Sequence, residues 1–369
     1  MPASPKTADA DRLGRAVLRE RLGLRPKERV TIECYPSSLP WAAGFVREAR
    51  RAGAYPIVHY EDEAAYWDAA EHGQADLLGG LPAHEKAALE ETDVYVFFWG
   101  PEDIARRQRL EGKAQSALFA YNPQWYKVAA KADVRGARMA IARATPQNAA
   151  LYGLPLDRWR AGLMAASLQD PRSFLPTVKK LERPLAGHGE VRITHPNGTD
   201  LTLALADRPV QKATGALPPA KLRRQFGIMV NVPDGSVYVS VDEKTADGTL
   251  VANRRTTNSG PILEGGRFTF RNGRLADYRF SKGGSEFARI YRAATGDKAR
   301  PSFFEVGIVP GMSGMPFLEE NELGTVTVGV GGNSAFGGKN DSSLFQYLTV
   351  ADANVTVGGR PVVRGGRVV

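Results

Sequence analysis

The sequence has one cysteine, no long apolar run and few histidines, and each shortage excludes a class of protein. A single thiol, Cys34, excludes an internal disulfide and any metal site built from several thiolates. No apolar run approaches the roughly 18 residues of a membrane-spanning helix. The polar start MPASPKTADADR has no hydrophobic signal region. We therefore expect a cytoplasmic protein that does not bind membranes, with Cys34 as a buried thiol at the end of an apolar run.

The positive charge of the chain is spread out rather than concentrated. The formal net charge is +9, from 49 Lys and Arg against 40 Asp and Glu. The densest basic clusters, at 106–109 and 221–224, are short, and no zinc knuckle, RNP or helix-turn-helix motif surrounds them. We expect these clusters to be solvated surfaces and expect no nucleic-acid partner.

The size and composition predict a globular protein of two domains. At 369 residues the chain is too long for one ordinary core, and 43% hydrophobic with 24% charged residues is typical of globular proteins. We predict an α/β domain over 1–144, a helical connector over 145–184, and an α+β domain over 185–369 that carries the binding pocket.

Strand and helix signals alternate through the first 144 residues. Strands at 29–34 and 55–59 flank a helix at 39–52, which is a βαβ unit. The run VYVFFW at 94–99 is apolar on both of its faces, as in a strand of an open, mostly parallel sheet. Further helices are predicted at 11–22, 64–71, 82–91 and 101–111, and a further strand at 138–142. Ligands gather at the carboxyl ends of such strands, and the side chains there are Glu33, Tyr35, Glu61, Asp62 and Trp99.

The hydrophobic period changes to two beyond residue 190, which predicts a mostly antiparallel sheet. Asn197-Gly198 and Asn272-Gly273 are the residues of tight β-hairpin turns. Strands are predicted at 191–195, 201–206, 236–241, 248–252, 267–271, 274–280, 324–330 and 354–357, and one helix at 284–294.

A glycine-rich stretch from 303 to 347 is predicted to form the floor of a pocket. Glu305 lies in its first strand, and glycine turns follow, where backbone can approach a ligand. The later acidic residues of the stretch are predicted to be turn residues: Glu319, Glu320, Glu322 and Asp341. The loop 332–340 misses the P-loop spacing by one residue, and 311–314 lacks the spacing of a serine nucleophile elbow.

Seven short segments occur in the order found in the M29 family of metallo-aminopeptidases, which the chain resembles along nearly its whole length. The segments are LRPKERV at 24–30, ARRAGA at 49–54, NGTDL at 197–201, NVPDG at 231–235, FEVG at 304–307, ELGTV at 322–326 and GGKN at 337–340. The resemblance implies the M29 fold, which is shared with iron-dependent dihydroxypyridine dioxygenases. It also implies a homodimer.

The metal ligands that the resemblance implies are mostly replaced in this chain. A two-metal hydrolase of this family has its ligands at positions occupied here by Ser236, Glu305, Thr327, Phe345 and Tyr347. Only Glu305 is a carboxylate, phenyl rings do not coordinate, and neutral hydroxyls are poor donors. The five histidines lie at 59, 72, 84, 188 and 195, before the glycine-rich stretch. We therefore expect neither a metal nor another cofactor.

The replacements predict an aromatic pocket around Glu305. Glu305 and Lys339 are the expected catalytic residues. The expected substrate contacts are Ser236, Tyr238, Thr327, Phe336, Asn340, Phe345 and Tyr347. Burial would raise the pKa of Glu305 and make it a general acid or base. Alternatively, Glu305 pairs with Lys339 or an arginine.

Three functions fit this sequence. The first is a metal-independent hydrolase of a small aromatic or heterocyclic compound, in which Lys339 and backbone amides near Gly337 would stabilise negative charge. The second is a non-catalytic binding or regulatory protein. The third is an aminopeptidase with a rebuilt metal site.

Overall fold

The structure is a computed structural model of the chain. It describes residues 5–72, 75–103, 106, 110, 112–220, 223, 227–257 and 262–369, with only the backbone for 75–76 and 112–119. The chain divides into two compact units, Met1–Gln169 with Gly215–Pro233, and Asp170–Thr214 with Asp234–Val369. The boundaries at 144 and 184 stay a prediction. By their contacts, residues 145–169 group with the first unit and 170–184 with the second.

The first unit alternates helices and strands, as the sequence pattern indicates. Its described helices are α1 (Thr7–Arg15), α2 (Leu39–Arg51), α3 (Glu63–Glu71), α4 (Ala75–Leu78), α5 (Ala83–Glu90), α6 (Gly112–Lys131), α7 (Pro146–Tyr152) and α8 (Leu156–Ser167). Its strands are β1 (Arg29–Cys34), β2 (Tyr55–Tyr60), β3 (Val94–Phe98), β4 (Arg135–Met139) and β8 (Met229–Val232). A π-helix, Ala16–Arg21, continues α1, and a 3-10 helix, Ala140–Arg143, follows β4.

The five strands of the first unit form a parallel sheet in the order β2-β1-β3-β4-β8, which confirms the predicted class. Both faces of β3 are largely buried, and Cys34 is buried too, which raises the pKa of its thiol to about 11. Within the described ranges, no helix is long and apolar enough to cross a membrane.

One strand predicted in the first unit is shifted in the structure, and one predicted helix lies mostly outside the described residues. The strand predicted at 138–142 instead spans Arg135–Met139, because Asp133 turns the chain at positive φ directly after α6. The helix predicted at 101–111 falls mostly outside the described residues.

The second unit is built mainly from strands. Its helices are α9 (Leu175–Leu185) and α10 (Gly284–Ala293), with 3-10 helices at Pro171–Phe174, Glu319–Asn321 and Ser334–Phe336. Its strands are β5 (Glu190–His195), β6 (Thr199–Ala204), β7 (Gln211–Ala213), β9 (Ser236–Ser240), β10 (Asp247–Val251), β11 (Arg267–Arg271), β12 (Arg274–Arg279), β13 (Pro301–Gly307), β14 (Val326–Gly331), β15 (Phe345–Val350), β16 (Asn354–Val357), β17 (Arg360–Arg364) and β18 (Arg367–Val368).

These strands form two antiparallel sheets, which confirms the predicted α+β class. The larger has the order β12-β11-β10-β6-β5-β16-β17-β18, and the smaller has the order β15-β14-β13-β9-β7. The tight turn between β11 and β12 places Asn272 and Gly273 at φ 51° and 69°, the conformation that Asn-Gly hairpins favour.

The smaller sheet has one apolar face and one mixed face, because side chains alternate along each strand. The apolar face consists of Val237, Val239, Phe304, Val306, Val326, Val328, Val330, Leu348 and Val350. The other face carries Glu305 at the middle of the sheet, opposite Tyr238 of β9 and Thr327 of β14. We call this second surface the polar-aromatic face.

Gly329 leaves the space on this face that the Phe303 ring occupies. A Cβ atom at position 329 would lie 2.3 Å from Cε1 of Phe303. Any larger residue at 329 must therefore displace the ring.

We predict that Gly329→Ala destabilises the protein by about 1–3 kcal/mol, the usual effect of overpacking a buried site. The matched control is Gly284→Ala, at the start of α10, where the nearest atom to an added Cβ is 3.7 Å away. Chemical denaturation of both variants measures the difference. Equal stability of the two variants would contradict this packing.

Candidate active site

Glu305 is a buried carboxyl group at the centre of the polar-aromatic face. Glu305 is 7% exposed, and the hydroxyl of Ser236 donates a hydrogen bond to its carboxyl group. Burial raises the pKa of Glu305 well above its ordinary value, and the negative charge of Glu320 raises it further. Lys339 does not neutralise this group: it is exposed, and no hydrogen bond or ion pair joins it to Glu305 among the described residues.

Glu320 is a second carboxyl group of the site, where the sequence pattern predicted a turn residue. It lies in the 3-10 helix Glu319–Asn321, and the hydroxyl of Tyr347 donates a 3.0 Å hydrogen bond to its Oε2. Burial raises the pKa of Glu320 to about 7. Burial also raises the pKa of Tyr347, so its phenol stays protonated and remains a donor.

Glu319 is also buried, again where a turn residue was predicted. Thr257 donates a 3.1 Å hydrogen bond to its carboxyl group, and burial raises its pKa well above the ordinary value. The segment LEENELG has three glutamates within four positions, so its composition does not indicate which carboxyl groups turn inward.

Five aromatic rings pack beside these carboxyl groups, and we call them the aromatic cluster: Tyr238, Phe303, Phe336, Phe345 and Tyr347. Phe303 stacks on Phe345 with ring centroids 5.5 Å apart, and Phe336 lies 5.5 Å from Phe345. Tyr238 meets the edge of Phe336 at 5.6 Å, and Tyr347 lies 6.1 Å from both Phe303 and Phe345. Phe345 is 41% exposed, so the cluster reaches from the buried face to solvent.

Most of the predicted site residues therefore lie on one surface. Ser236, Tyr238, Glu305, Thr327 and Tyr347 project from neighbouring strands of the same sheet. The hydroxyl of Thr327 lies 2.9 Å from that of Thr349 on the next strand. The sequence analysis missed Phe303 and Glu320. Phe303 could have been predicted, because it lies two residues before Glu305 on the same strand and therefore on the same face; no comparable pattern indicated Glu320.

The loop at 337–340 has a structural role that differs from the predicted one. The N–H groups of Gly337, Gly338 and Lys339 already donate to Ser334, Asn333 and Glu243, respectively, so they are not free to stabilise a developing anion.

The predicted role of Asn340 in substrate binding likewise finds no support in its contacts. Its side-chain amide donates to the carbonyls of Asp297 and Gly331, at 2.8 and 2.7 Å. Asn340 therefore holds the loop in place, and we assign neither Asn340 nor Lys339 a role in substrate binding or catalysis.

The residues of this face do not fit the two-metal site that the resemblance implies. Of the five implied ligand positions, Ser236, Thr327, Phe345 and Tyr347 present two hydroxyls, a phenyl ring and a protonated phenol. In the part of the chain that the structure describes, no group of three or more His, Cys, Asp or Glu is arranged to hold a metal ion.

Three of the five residues predicted to face a ligand in the first unit, Glu33, Asp62 and Trp99, make contacts that account for them structurally. Tyr95 donates a hydrogen bond to Glu33, and Asp62 accepts the N–H of Ala65 at 2.8 Å as the N-cap of α3. Trp99 lies under the guanidinium of Arg143, with 5.0 Å between the ring centroid and Cζ.

Comparisons with known proteins confirm the resemblance seen in the sequence. The profile of the family described as thermophilic metalloprotease (M29) matches residues 174–314. Aminopeptidase PepS of Streptococcus thermophilus is 23% identical over 289 residues, which cover 71% of this chain and 68% of that protein.

Two solved structures share the fold along nearly the whole chain. Wild-type AmpT from Thermus thermophilus superimposes with a TM-score of 0.71 at 19% identity, covering 98% of this chain and 99% of that one. The 2,5-dihydroxypyridine dioxygenase from Pseudomonas putida KT2440 gives a TM-score of 0.64 at 14% identity, covering 99% and 98%.

We predict that Glu320→Gln removes the loss of folding stability that the ionisation of Glu320 causes as the pH rises. In the unfolded chain this carboxyl ionises near its ordinary pKa of 4.5, whereas folding raises the pKa to about 7. The folded state thus binds the proton more tightly, and the stability of the unmodified protein falls as the pH rises from 4.5 through 7. The variant stays neutral, so its melting temperature should rise relative to that of the unmodified protein between about pH 5 and pH 8.

The control for this measurement is Glu190→Gln, which changes an exposed residue of β5. Its melting temperature should follow that of the unmodified protein at each pH. The same pH dependence in both variants would contradict a raised pKa for Glu320.

Proposed function

We propose that this chain, a divergent member of the M29 fold, is a metal-independent hydrolase that acts on a small aromatic or heterocyclic compound. The observation that carries the proposal is the buried carboxyl of Glu305, with raised pKa, on the same sheet face as the aromatic cluster. Perturbed carboxyl groups in such surroundings are typical of acid–base catalysts.

Glu305 and Glu320 provide two carboxyl groups with different surroundings, which is what hydrolysis requires. Burial raises the pKa of Glu305 well above its ordinary value, and that of Glu320 to about 7. Glu305, whose pKa is raised by burial and by the charge of Glu320, serves as the general acid, which protonates the leaving group. Ionised Glu320 serves as the general base, which removes a proton from water as the water oxygen attacks the substrate.

Hydrogen-bonding hydroxyls orient both carboxyl groups. Tyr347 donates to Glu320, and Ser236 donates to Glu305. Both hydroxyls occupy positions where the resemblance implies metal ligands. In the proposed site they hold the carboxyl groups in place instead of coordinating ions.

The aromatic cluster supplies the surface for the substrate ring. Phe345 is partly exposed, and its contacts with Phe303 and Tyr347 lead inward toward the carboxyl groups. An aromatic substrate gains both apolar burial and edge or stacking contacts with such rings, worth about 0.5–1.5 kcal/mol for each ring pair beyond the buried area.

The metal-independence of the reaction is part of the proposal, and it is supported by the kinds of residue at the implied ligand positions. Two hydroxyls, one phenyl ring and one protonated phenol replace the expected carboxylate and imidazole donors. A binding protein without catalysis and an aminopeptidase with a rebuilt metal site are the alternative functions. The homodimer and the cytoplasmic location stay predictions from the resemblance and the composition.

We predict that Glu305→Gln lowers kcat at least about 100-fold, because general acid catalysis typically contributes that much. The assay uses any aryl ester, anilide or heterocyclic amide that the unmodified protein hydrolyses in a screen. The matched control is Glu319→Gln, which neutralises a carboxyl group of similar burial that Thr257 holds. Turnover should change less than about threefold in this control. Unchanged turnover in Glu305→Gln would exclude the catalytic role of this residue, whereas no turnover of any screened compound by the unmodified protein would favour a binding protein.

A further inference from the structure

We infer that the free edge of β2 is an association surface, on which the β2 strands of two copies of this chain pair antiparallel about a two-fold axis. The resemblance implies a homodimer and does not specify the surface that forms it. The inference is independent of the proposed function, because it uses no residue of the candidate active site.

β2 is an edge strand whose apolar side chains are exposed on both of its faces. It lies at one end of the parallel sheet β2-β1-β3-β4-β8 and pairs with β1 alone among the described strands. Four of its side chains are between 42% and 62% exposed: Tyr55, Ile57, Val58 and Tyr60. An exposed apolar edge of this kind is a template for pairing with another strand.

Two other sheet edges of the chain are protected in ways that β2 is not. At the opposite end of the same sheet, Val230 and Val232 of β8 are buried. β12, an edge of the larger sheet, presents the exposed charges of Arg274, Asp277 and Arg279, which oppose pairing. The six residues of β2 include no Lys, Arg, Asp or Glu. This edge therefore lacks the charges that usually keep strands of different molecules apart.

The backbone of β2 directs hydrogen-bonding groups toward its free edge. The N–H of Tyr55 donates to the carbonyl of Glu28, and that of Glu61 donates to the carbonyl of Cys34, so the odd-numbered residues face β1. Because the direction of these groups alternates along a strand, the N–H and C=O groups of Val58 and Tyr60 point away from β1. These groups are available to a second strand.

Antiparallel pairing of two such edges is self-complementary. With the two-fold axis at Val58, this residue exchanges both backbone hydrogen bonds with its counterpart in the second copy. The N–H of each Tyr60 then donates to the carbonyl of the opposing Pro56. The N–H that proline lacks would belong to the last pair at each end of the ladder, so the two bonds at the axis are unaffected.

This register also brings together side chains that fit one another. On one face of the joined sheet, Val58 meets its counterpart and Tyr60 lies beside the opposing Pro56, so the apolar surfaces leave water. On the other face, Tyr55 lies beside the opposing Glu61, a carboxylate that accepts a hydrogen bond from a phenol.

The charges at the two ends of β2 favour the antiparallel arrangement over a parallel one. Lys27 and Arg50 lie near its start: the N–H of Lys27 donates to the carbonyl of Gly53, and Arg50 is in the last turn of α2. Both are exposed, and neither forms an ion pair with another described residue. Glu61 and Asp62 directly follow its end. Antiparallel pairing brings the basic end of each copy toward the acidic end of the other.

The experiment is sedimentation equilibrium of the full chain and of two variants at position 58, where the two-fold axis makes each side chain its own neighbour. We expect the unmodified protein to dimerise at about micromolar concentration. Val58→Lys and Val58→Glu should each weaken dimerisation at least about tenfold, because like charges then face each other directly across the pair. A monomer at about 100 µM unmodified protein, or dimerisation unchanged in both variants, would overturn the inference.

An equimolar mixture of Val58→Lys and Val58→Glu separates pairing at this axis from a loss of folding. Opposite charges meet in the mixed dimer, so the mixture should associate more tightly than either variant alone. The matched control is Leu151→Lys, which adds the same charge to a residue of α7 that is 40% exposed and should leave dimerisation unchanged. No recovery in the mixture, or equal weakening in Leu151→Lys, would contradict pairing through β2.

Discussion

The burial of Glu305, which has no cationic partner among the described residues, is the constraint on which the rest of this site depends. A buried carboxyl group without a cation keeps its proton or acquires a partner, because the ionised form loses its hydration. Burial therefore raises the pKa of Glu305, and the negative charge of Glu320 raises it further. We propose that this carboxyl group, at a position where the resemblance implies a metal ligand, acts as a proton donor.

The fold gives this carboxyl group a rigid place. It projects from β13, the middle strand of the smaller sheet, between neighbours on β9 and β14. The opposite face of that sheet is mostly apolar, with the buried Gln346 beside Val330 as an exception. This pattern sets the register of the strands, since a slip of one residue would expose valines and bury polar groups. Gly329 leaves room for Phe303 on the other face, so the aromatic rings and the carboxyl groups lie side by side.

The sequence pattern was sufficient for the fold class, and the resemblance indicated Glu305, Phe345 and Tyr347 through the motifs that the chain shares with the M29 family. Phe303 was missed although it lies on the same strand as Glu305, and β15, which carries Phe345 and Tyr347, was not predicted. Glu320 was missed because it lies in a polar 3-10 turn, where only the tertiary structure decides which carboxyl group faces inward. The strand β8 was missed for a similar reason: its four residues join a sheet whose other strands lie more than 85 positions earlier in the chain.

Lys339 illustrates the opposite error, in which a plausible residue near the site takes no part in it. A lysine in a glycine-rich loop suggested a cation for developing negative charge. In the structure, Glu243 organises that loop through its bonds to Arg208, Asn333 and the N–H of Lys339, while the lysine side chain is exposed. The loop motif therefore has a structural role, and these contacts give no support to the predicted catalytic role of Lys339.

The central claim is that carboxyl chemistry has taken the place of metal chemistry in this site, and the metal content of the protein tests it most directly. The measurement is elemental analysis of protein purified without chelator, combined with melting temperatures before and after addition of zinc, cobalt, manganese or ferrous ions. The account predicts fewer than about 0.1 ions per chain and no thermal stabilisation by any of these ions. A content close to one ion per chain, or a clear rise in melting temperature with one metal, would contradict it and favour a rebuilt metallohydrolase.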